Sequence, residues 1–241
     1  MIESRGVATV TIGLVRPHME KTKPPRGLWV PFALGRPFGE PEDAGFQRRV
    51  LMQALGLLEL KTGPVVLEDF PEDAPSMRDR PGWAPQVVLP EPASATLEDG
   101  DVAGWVAALR AEMAKVMPHW EAAQHRFGRT TVGLSRLPPQ DWVPFAARFL
   151  AGELPESPVA GLSPALVVRY IADDLKAFYA EAVQAIGQQP SGAQVNRWFW
   201  DTTLAADFLR ALRTAALAST HNGFNTAGSR FIVPAPYVKK G

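Results

Sequence analysis

The sequence contains no cysteine. That absence excludes disulfides, thiolate-bound zinc, iron–sulfur clusters and a thiol nucleophile within these 241 residues. Long apolar runs are missing too. No window approaches the roughly 18 uninterrupted apolar residues of a membrane-spanning helix, so no membrane partner is expected. Neither sign of charge is in excess, with Lys+Arg and Asp+Glu at 25 each. A nucleic-acid partner held by global charge is therefore not expected either. Glu3 and Arg5 are followed by only a short apolar stretch with no small-residue cleavage site, so a secretory leader is not read and a cytoplasmic location is the expectation. The serine nucleophile elbow, the phosphate-binding P-loop and the dinucleotide glycine fingerprint are absent. Of the four histidines (His18, His119, His125 and His221), His119 and His125 stand six apart rather than at the i,i+4 spacing that puts two ligands on one helix face. No inward Glu-x-x-His pair suits a di-iron bundle. These gaps argue against a stand-alone hydrolase or metal enzyme, and no cofactor is expected.

What is present divides into three regions. Residues 1–70 read as α/β. Val7 to Val15 is β-branched and apolar, bounded by Gly6 and Pro17, and predicts a buried strand. Gly27 to Leu34 predicts a second extended segment, with Pro31 marking an edge or an irregular path. Asp43 to Leu60 predicts a helix, because Phe46, Val50, Leu51, Leu55 and Leu58 recur three or four apart behind acids at its start. Pro64 to Leu67 predicts a third strand. The alternation of strand and helix is an α/β signature of Rossmann-like flavour with few strands.

Residues 71–100 hold six prolines, and acids outnumber bases six to two. They predict an extended linker. Residues 101–241 predict a mainly α-helical part. A first helix carries Val102, Trp105, Leu109, Met113 and Val116 on one face and stops at Pro118. A shorter helix covers Pro139 to Leu150. Ser163-Pro164 is an N-cap followed by proline, ahead of a stripe from Val168 to Ile186. Ser191 to Gln194 has capping-box form and opens one long helix ending near Ser219, with His221, Asn222 and Gly223 as its stop. Arg230 to Pro234 reads as a late strand.

Two segments offer binding chemistry. Gly128 to Gly133 brings Arg129 and Thr130 between glycines, which suits either an anion held by backbone N–H groups and a guanidinium or a plain turn. Arg16 to Arg36 carries Arg16, Lys21, Lys23, Arg26 and Arg36 against Glu20 alone. It follows the C-terminal end of the first predicted strand, where α/β sheets bind ligands. That loop reads either as a solvated basic face or as a site for a small anionic substrate. In the second reading Arg16, Arg26 and Arg36 grip a carboxylate, while His18 or Glu20 moves protons. Trp198-Phe199-Trp200 places adjacent aromatics on different helix faces, so one of the three is expected at the surface or an interface.

Gly6-Val-Ala-Thr-Val-Thr-Ile12, Pro24-Pro-Arg-Gly-Leu-Trp-Val-Pro-Phe-Ala-Leu-Gly-Arg-Pro-Phe-Gly39 and Phe46-Gln-Arg-Arg-Val-Leu51 resemble the C-terminal part of the selenoprotein B subunits of the glycine, sarcosine, betaine and D-proline reductases. The resemblance covers about residues 4 to 60, roughly a quarter of the chain. In that family the reactive selenocysteine or cysteine lies upstream of this strand. The resemblance therefore implies a two-component, reductase-like or lyase-like enzyme in which a companion subunit supplies the thiol. It further implies a small carboxylate-bearing amine or related compound as substrate, and assembly as a homo- or hetero-oligomer. The alternative expectation is a docking, scaffold or oligomerisation subunit without catalysis.

Overall fold

The computed structural model describes residues 2–61, 63, 65–90 and 101–238. Its chain divides into two compact units, Met1–Arg80 with Ser191–Ala193, and Pro81–Pro190 with Gln194–Gly241.

The first unit is a small parallel sheet. Strands β1 (Thr11–Gly13), β2 (Arg26–Trp29) and β3 (Val66–Asp69) lie in the order β1-β2-β3, with helix α1 (Arg16–Thr22) between the first two and α2 (Ala44–Gly56) between the last two. The register aligns Gly13 with Trp29 and Trp29 with Asp69. Side chains alternate across a strand, so each face has its own occupants. Ile12, Leu28 and Val30 join Phe46, Val50, Ala54 and Leu57 in one cluster. Three rings close it: Phe32, Phe46 and Phe70 have centroids 5.4 to 5.8 Å apart. On the opposite face Gly13 and Gly27 leave room for Met19 of α1. A Cβ on Gly13 would lie 2.2 Å from the Met19 Sδ, and one on Gly27 would lie 2.7 Å from its Cε.

Local signals explain the helix boundaries. Asp43 caps α2 by accepting from the Phe46 N–H at 2.8 Å. The helix tightens into a 3₁₀ turn at Leu57–Glu59, inside the predicted range. The predicted first strand pairs over Thr11–Gly13 alone. Val7 and Ala8, read as buried, are exposed, because no neighbouring strand among the described residues lies alongside them. Arg16 to Thr22, read as loop, is helix with Pro17 in its first turn. The second half of the predicted linker, 91–100, lies outside the described residues.

The second unit is helical. Its elements are α3 (Val102–Phe127), α4 (Pro139–Ala147), α5 (Pro164–Ala182), α6 (Gly192–Thr202) from Gln194 onward, α7 (Leu204–Ala218) and α8 (Asn222–Ala227). Helix α5 is the centre: Val167, Val168, Ile171, Leu175, Phe178 and Tyr179 are fully buried, and α3, α4 and α8 pack around it. Ser163 caps it as the sequence indicates. The stripe stops at Ala182, and Ile186 is exposed.

Five expectations for this part of the chain need correction. Helix α3 runs through Pro118 to Phe127. Proline removes one N–H and crowds the carbonyl four residues earlier, but Trp120 packs on Phe178 at 5.2 Å and bonds Glu181 at 2.9 Å, which holds the last turns in place. The expected long helix from Ser191 breaks at Thr203, whose hydroxyl caps α7 by accepting from Ala206 at 3.1 Å. His221, read as a stop, starts α8: its Nδ1 accepts from the Phe224 N–H at 3.2 Å. Arg230 to Pro234 is no strand, because Gly228–Ile232 forms a π-helical turn that buries Ile232 against the core. Trp198, Phe199 and Trp200 are all buried: the first two rings lie near Tyr179, while Trp200 stacks on Tyr237 at 5.3 Å.

Candidate functional site

The C-terminal edge of the sheet is the place to test the basic segment. Parallel strands end there together, and the α1 connection leaves β1 at that edge. Arg16, the first residue of α1, reaches across to β3. Its Nε donates to both oxygens of Asp69 at 3.1 Å, and its Nη1 pairs with Glu20 one helical turn on. The guanidinium lies 5.9 Å from the centre of the Trp29 ring. The Trp29 indole N–H donates to the Leu14 carbonyl at 3.4 Å, tying the end of β2 to the end of β1. Gly13, Gly27, Trp29, Leu67 and Asp69 occupy alternate positions of the three strands, so this cluster sits on the face that α1 covers.

The electrostatics follow from those bonds. Asp69 foremost, and then Glu20, hold the Arg16 pKa above its already high ordinary value. The cation is permanent, but two carboxylates already neutralise it. An incoming anion has to displace one of them.

The other predicted site residues do not converge on Arg16. His18 lies two residues along α1, and residues two apart point to different sides of a helix, so it does not share the Arg16–Glu20 face. Arg26 opens β2, at the opposite end of the strand from Trp29, and pairs with Glu3 at 2.9 Å. The Thr9 backbone N–H, more than any other contact, holds the Glu3 carboxyl below its usual pKa. Arg36 lies exposed in the loop that leaves β2, in a turn where its N–H reaches the Ala33 carbonyl at 3.0 Å. Lys21 and Lys23 are exposed as well. The basic segment thus keeps Lys21, Lys23 and Arg36 as its exposed cations, while Arg16 and Arg26 serve as internal ties. Sequence reasoning missed Asp69 and Trp29, since each lies in another strand and only the register brings them to Arg16.

Arg129 and Thr130 belong to the second unit, in the loop between α3 and α4. The loop does cradle anions, but they are the chain's own carboxylates. Glu181 accepts from the Thr130 hydroxyl at 2.7 Å, the Thr131 N–H at 2.6 Å and the Thr131 hydroxyl at 2.8 Å. Asp174, fully buried, accepts from the N–H groups of Gly133, Leu134 and Ser135 at 2.8 to 2.9 Å and from the Ser135 hydroxyl at 2.5 Å. The expected anion cradle is therefore occupied from within, and Arg129 lies exposed beside it. Among the described residues, no three His, Asp or Glu side chains come together as a metal site, and no helix is long and apolar enough to cross a membrane. No family model matches this chain, and neither a curated protein nor a solved structure is significantly similar to it.

Proposed function

We propose that the chain is the thiol-free subunit of a two-component, reductase-like or lyase-like enzyme of the selenoprotein B type, with its small sheet completing a larger Rossmann-like one. The substrate is a small carboxylate-bearing amine or related compound. The reactive thiol comes from a companion subunit. The observation that carries this reading is the stretch from Val7 to Val10. It has the composition of a buried strand, yet Val7 is 56% exposed and the ladder begins only at Thr11. Both β1 and β3 end the sheet of described strands, and open parallel edges accept a further strand. A companion strand alongside β1 buries the apolar stretch and brings a thiol toward the C-terminal edge. There Arg36, exposed in the loop that leaves β2, supplies positive charge for the substrate carboxylate.

Co-expression with the product of the neighbouring reading frame tests the proposal. The expected result is a stable complex whose turnover depends on a cysteine of the companion and falls on Arg36→Ala. A monodisperse monomer that ignores every cysteine-bearing neighbour overturns it. A second reading, a docking subunit without catalysis, draws on the neutralisation of Arg16 by Asp69 and Glu20. It predicts a complex that forms equally well with Arg36→Ala and His18→Ala and shows no turnover.

A further inference from the structure

The second unit holds a cavity of about 450 Å³ between the start of α5 and the α8–π-turn segment. That is within the size range of small-molecule sites, about 300–1,000 Å³. Its walls are mixed. Leu166 and Phe231 are apolar, Ser163, Asn222 and Thr226 carry hydrogen-bonding groups, and Arg169 brings a guanidinium. Asn222 and Thr226 are four apart on α8 and so present their polar groups on one side.

Arg169 is the unusual member. Its guanidinium lies 3.9 Å from the centre of the Phe231 ring, close enough to be oriented by it. Its Nε is buried and has no hydrogen-bond partner. Its nearest acid, Asp173, stands 3.9 Å from that Nε, too far for a hydrogen bond. Asp173 is instead drawn to Lys176 at 2.9 Å. Lys176 also donates to the Phe231 carbonyl at 3.2 Å, which pins the π-turn. The turn itself depends on Gly228, where a Cβ would lie 2.5 Å from Ala216. π-helical turns recur at functional sites; here the turn holds Phe231 under the arginine.

We propose that this cavity binds a small organic acid with a compact apolar body. Its carboxylate takes the guanidinium of Arg169, and Ser163, Asn222 and Thr226 satisfy its remaining polar groups. The apolar part lies on Leu166 and Phe231. Guanidinium and carboxylate match as a bidentate pair, and Arg169 is less neutralised than Arg16. The site stands apart from the companion-subunit reading and needs no second chain.

Calorimetric titration of the full chain with phenylacetate, phenylacetamide and acetate tests it. Phenylacetate is expected to saturate one site. Phenylacetamide and acetate are each expected to bind at least about tenfold more weakly, since one lacks the charge and the other the apolar body. Arg169→Met is expected to weaken phenylacetate by a similar factor. Thr226→Trp, at an exposed position of α8, fills the cavity mouth and abolishes binding while leaving the fold intact; it serves if Arg169→Met fails to fold. No saturable binding of phenylacetate, equal binding of the amide or the acetate, or unchanged binding in the folded variants overturns the proposal.

Discussion

The Glu112 carboxylate accepts the Tyr179 hydroxyl at 2.7 Å in the core of the helical unit, across 67 residues of sequence. The same carboxylate accepts the N–H groups of Leu204 and Ala205 at 2.8 and 3.1 Å, and so completes the N-terminus of α7 from a different helix. Truncation to Glu112→Ala strands a buried hydroxyl and two buried amides. Each stranded group costs about 1–3 kcal/mol, so the variant is expected to lose about 3 kcal/mol or more of stability in denaturant unfolding. Tyr179→Phe leaves both amides satisfied and is expected to cost only about 1 kcal/mol.

Glu112 and Glu181 should pull the pH dependence of stability in opposite directions. Burial raises the Glu112 pKa above 4.5, despite the hydrogen bonds that oppose it. The native state then binds the proton more tightly than the unfolded chain, so the Glu112 contribution weakens as pH rises from 4.5 through the native pKa and strengthens on acidification. Burial pushes Glu181 the same way, but the Thr131 amide, the two threonine hydroxyls and the Trp120 indole outweigh it and leave the pKa lowered. Its contribution is complete above 4.5 and is lost as pH falls through the native value. Unfolding midpoints measured from neutral to acid pH are expected to show Glu112→Gln losing ground to the wild type on acidification toward 4.5. Glu181→Gln is expected to regain ground below it. Parallel curves for the two variants would contradict the assignment.

Asp174 ties the loop after α3 to α5 through four hydrogen bonds. Asp174→Ala leaves three backbone N–H groups without their acceptor and is expected to cost about 3 kcal/mol. Asp174→Asn keeps one acceptor oxygen and costs less. Limited trypsin digestion reads the effect directly: cleavage at Arg129 and Arg136 should accelerate in Asp174→Ala before any global unfolding.

The exposed Val7 offers a test of the companion edge that leaves the chain's own core alone. Lysine on an edge strand opposes pairing with another chain. Val7→Lys is expected to leave the thermal midpoint of the isolated chain unchanged and to abolish the co-purified complex. A complex that survives the substitution moves the companion away from β1.

The sequence was most readable where a single local interaction decides the structure. Ser163 caps α5 through a side chain three residues from the amide it serves, where the sequence indicates a cap, and Asp43, read as an acid in the first turn of α2, caps that helix in the same way. It was least readable where the deciding partner is remote. Apolar residues recur on both sides of Thr203, and the N-terminus of α7 that follows the break is completed by Glu112, 92 residues before Leu204. The helix beyond Pro118 survives because Trp120 packs on Phe178. The candidate site divides in the same way. The positive charge of Arg16 to Arg36 is visible in the letters, but its cancellation is not. Asp69 meets Arg16 only because β3 pairs in register with β2, and Glu181 and Asp174 fill the Thr130 loop from another helix.

The position of α1, and with it of Arg16, rests on two glycines. Met19 is buried in the space that Gly13 and Gly27 leave on the strands. A methyl on Gly13 would meet Met19 at Sδ, Cγ and Cε, at 2.2, 2.7 and 3.0 Å, so the side chain has to leave its seat. Overpacking of this kind costs about 1–3 kcal/mol. Gly13→Ala is expected to destabilise the chain by that amount and to displace α1 from the sheet edge. Met19→Ala removes the obstacle at the cost of buried contacts. The double variant Gly13→Ala/Met19→Ala should therefore be more stable than the sum of its singles, because the inserted methyl fills space the methionine vacates. Strict additivity in a double-mutant cycle would show that α1 is held by its Arg16–Asp69 tie rather than by this packing.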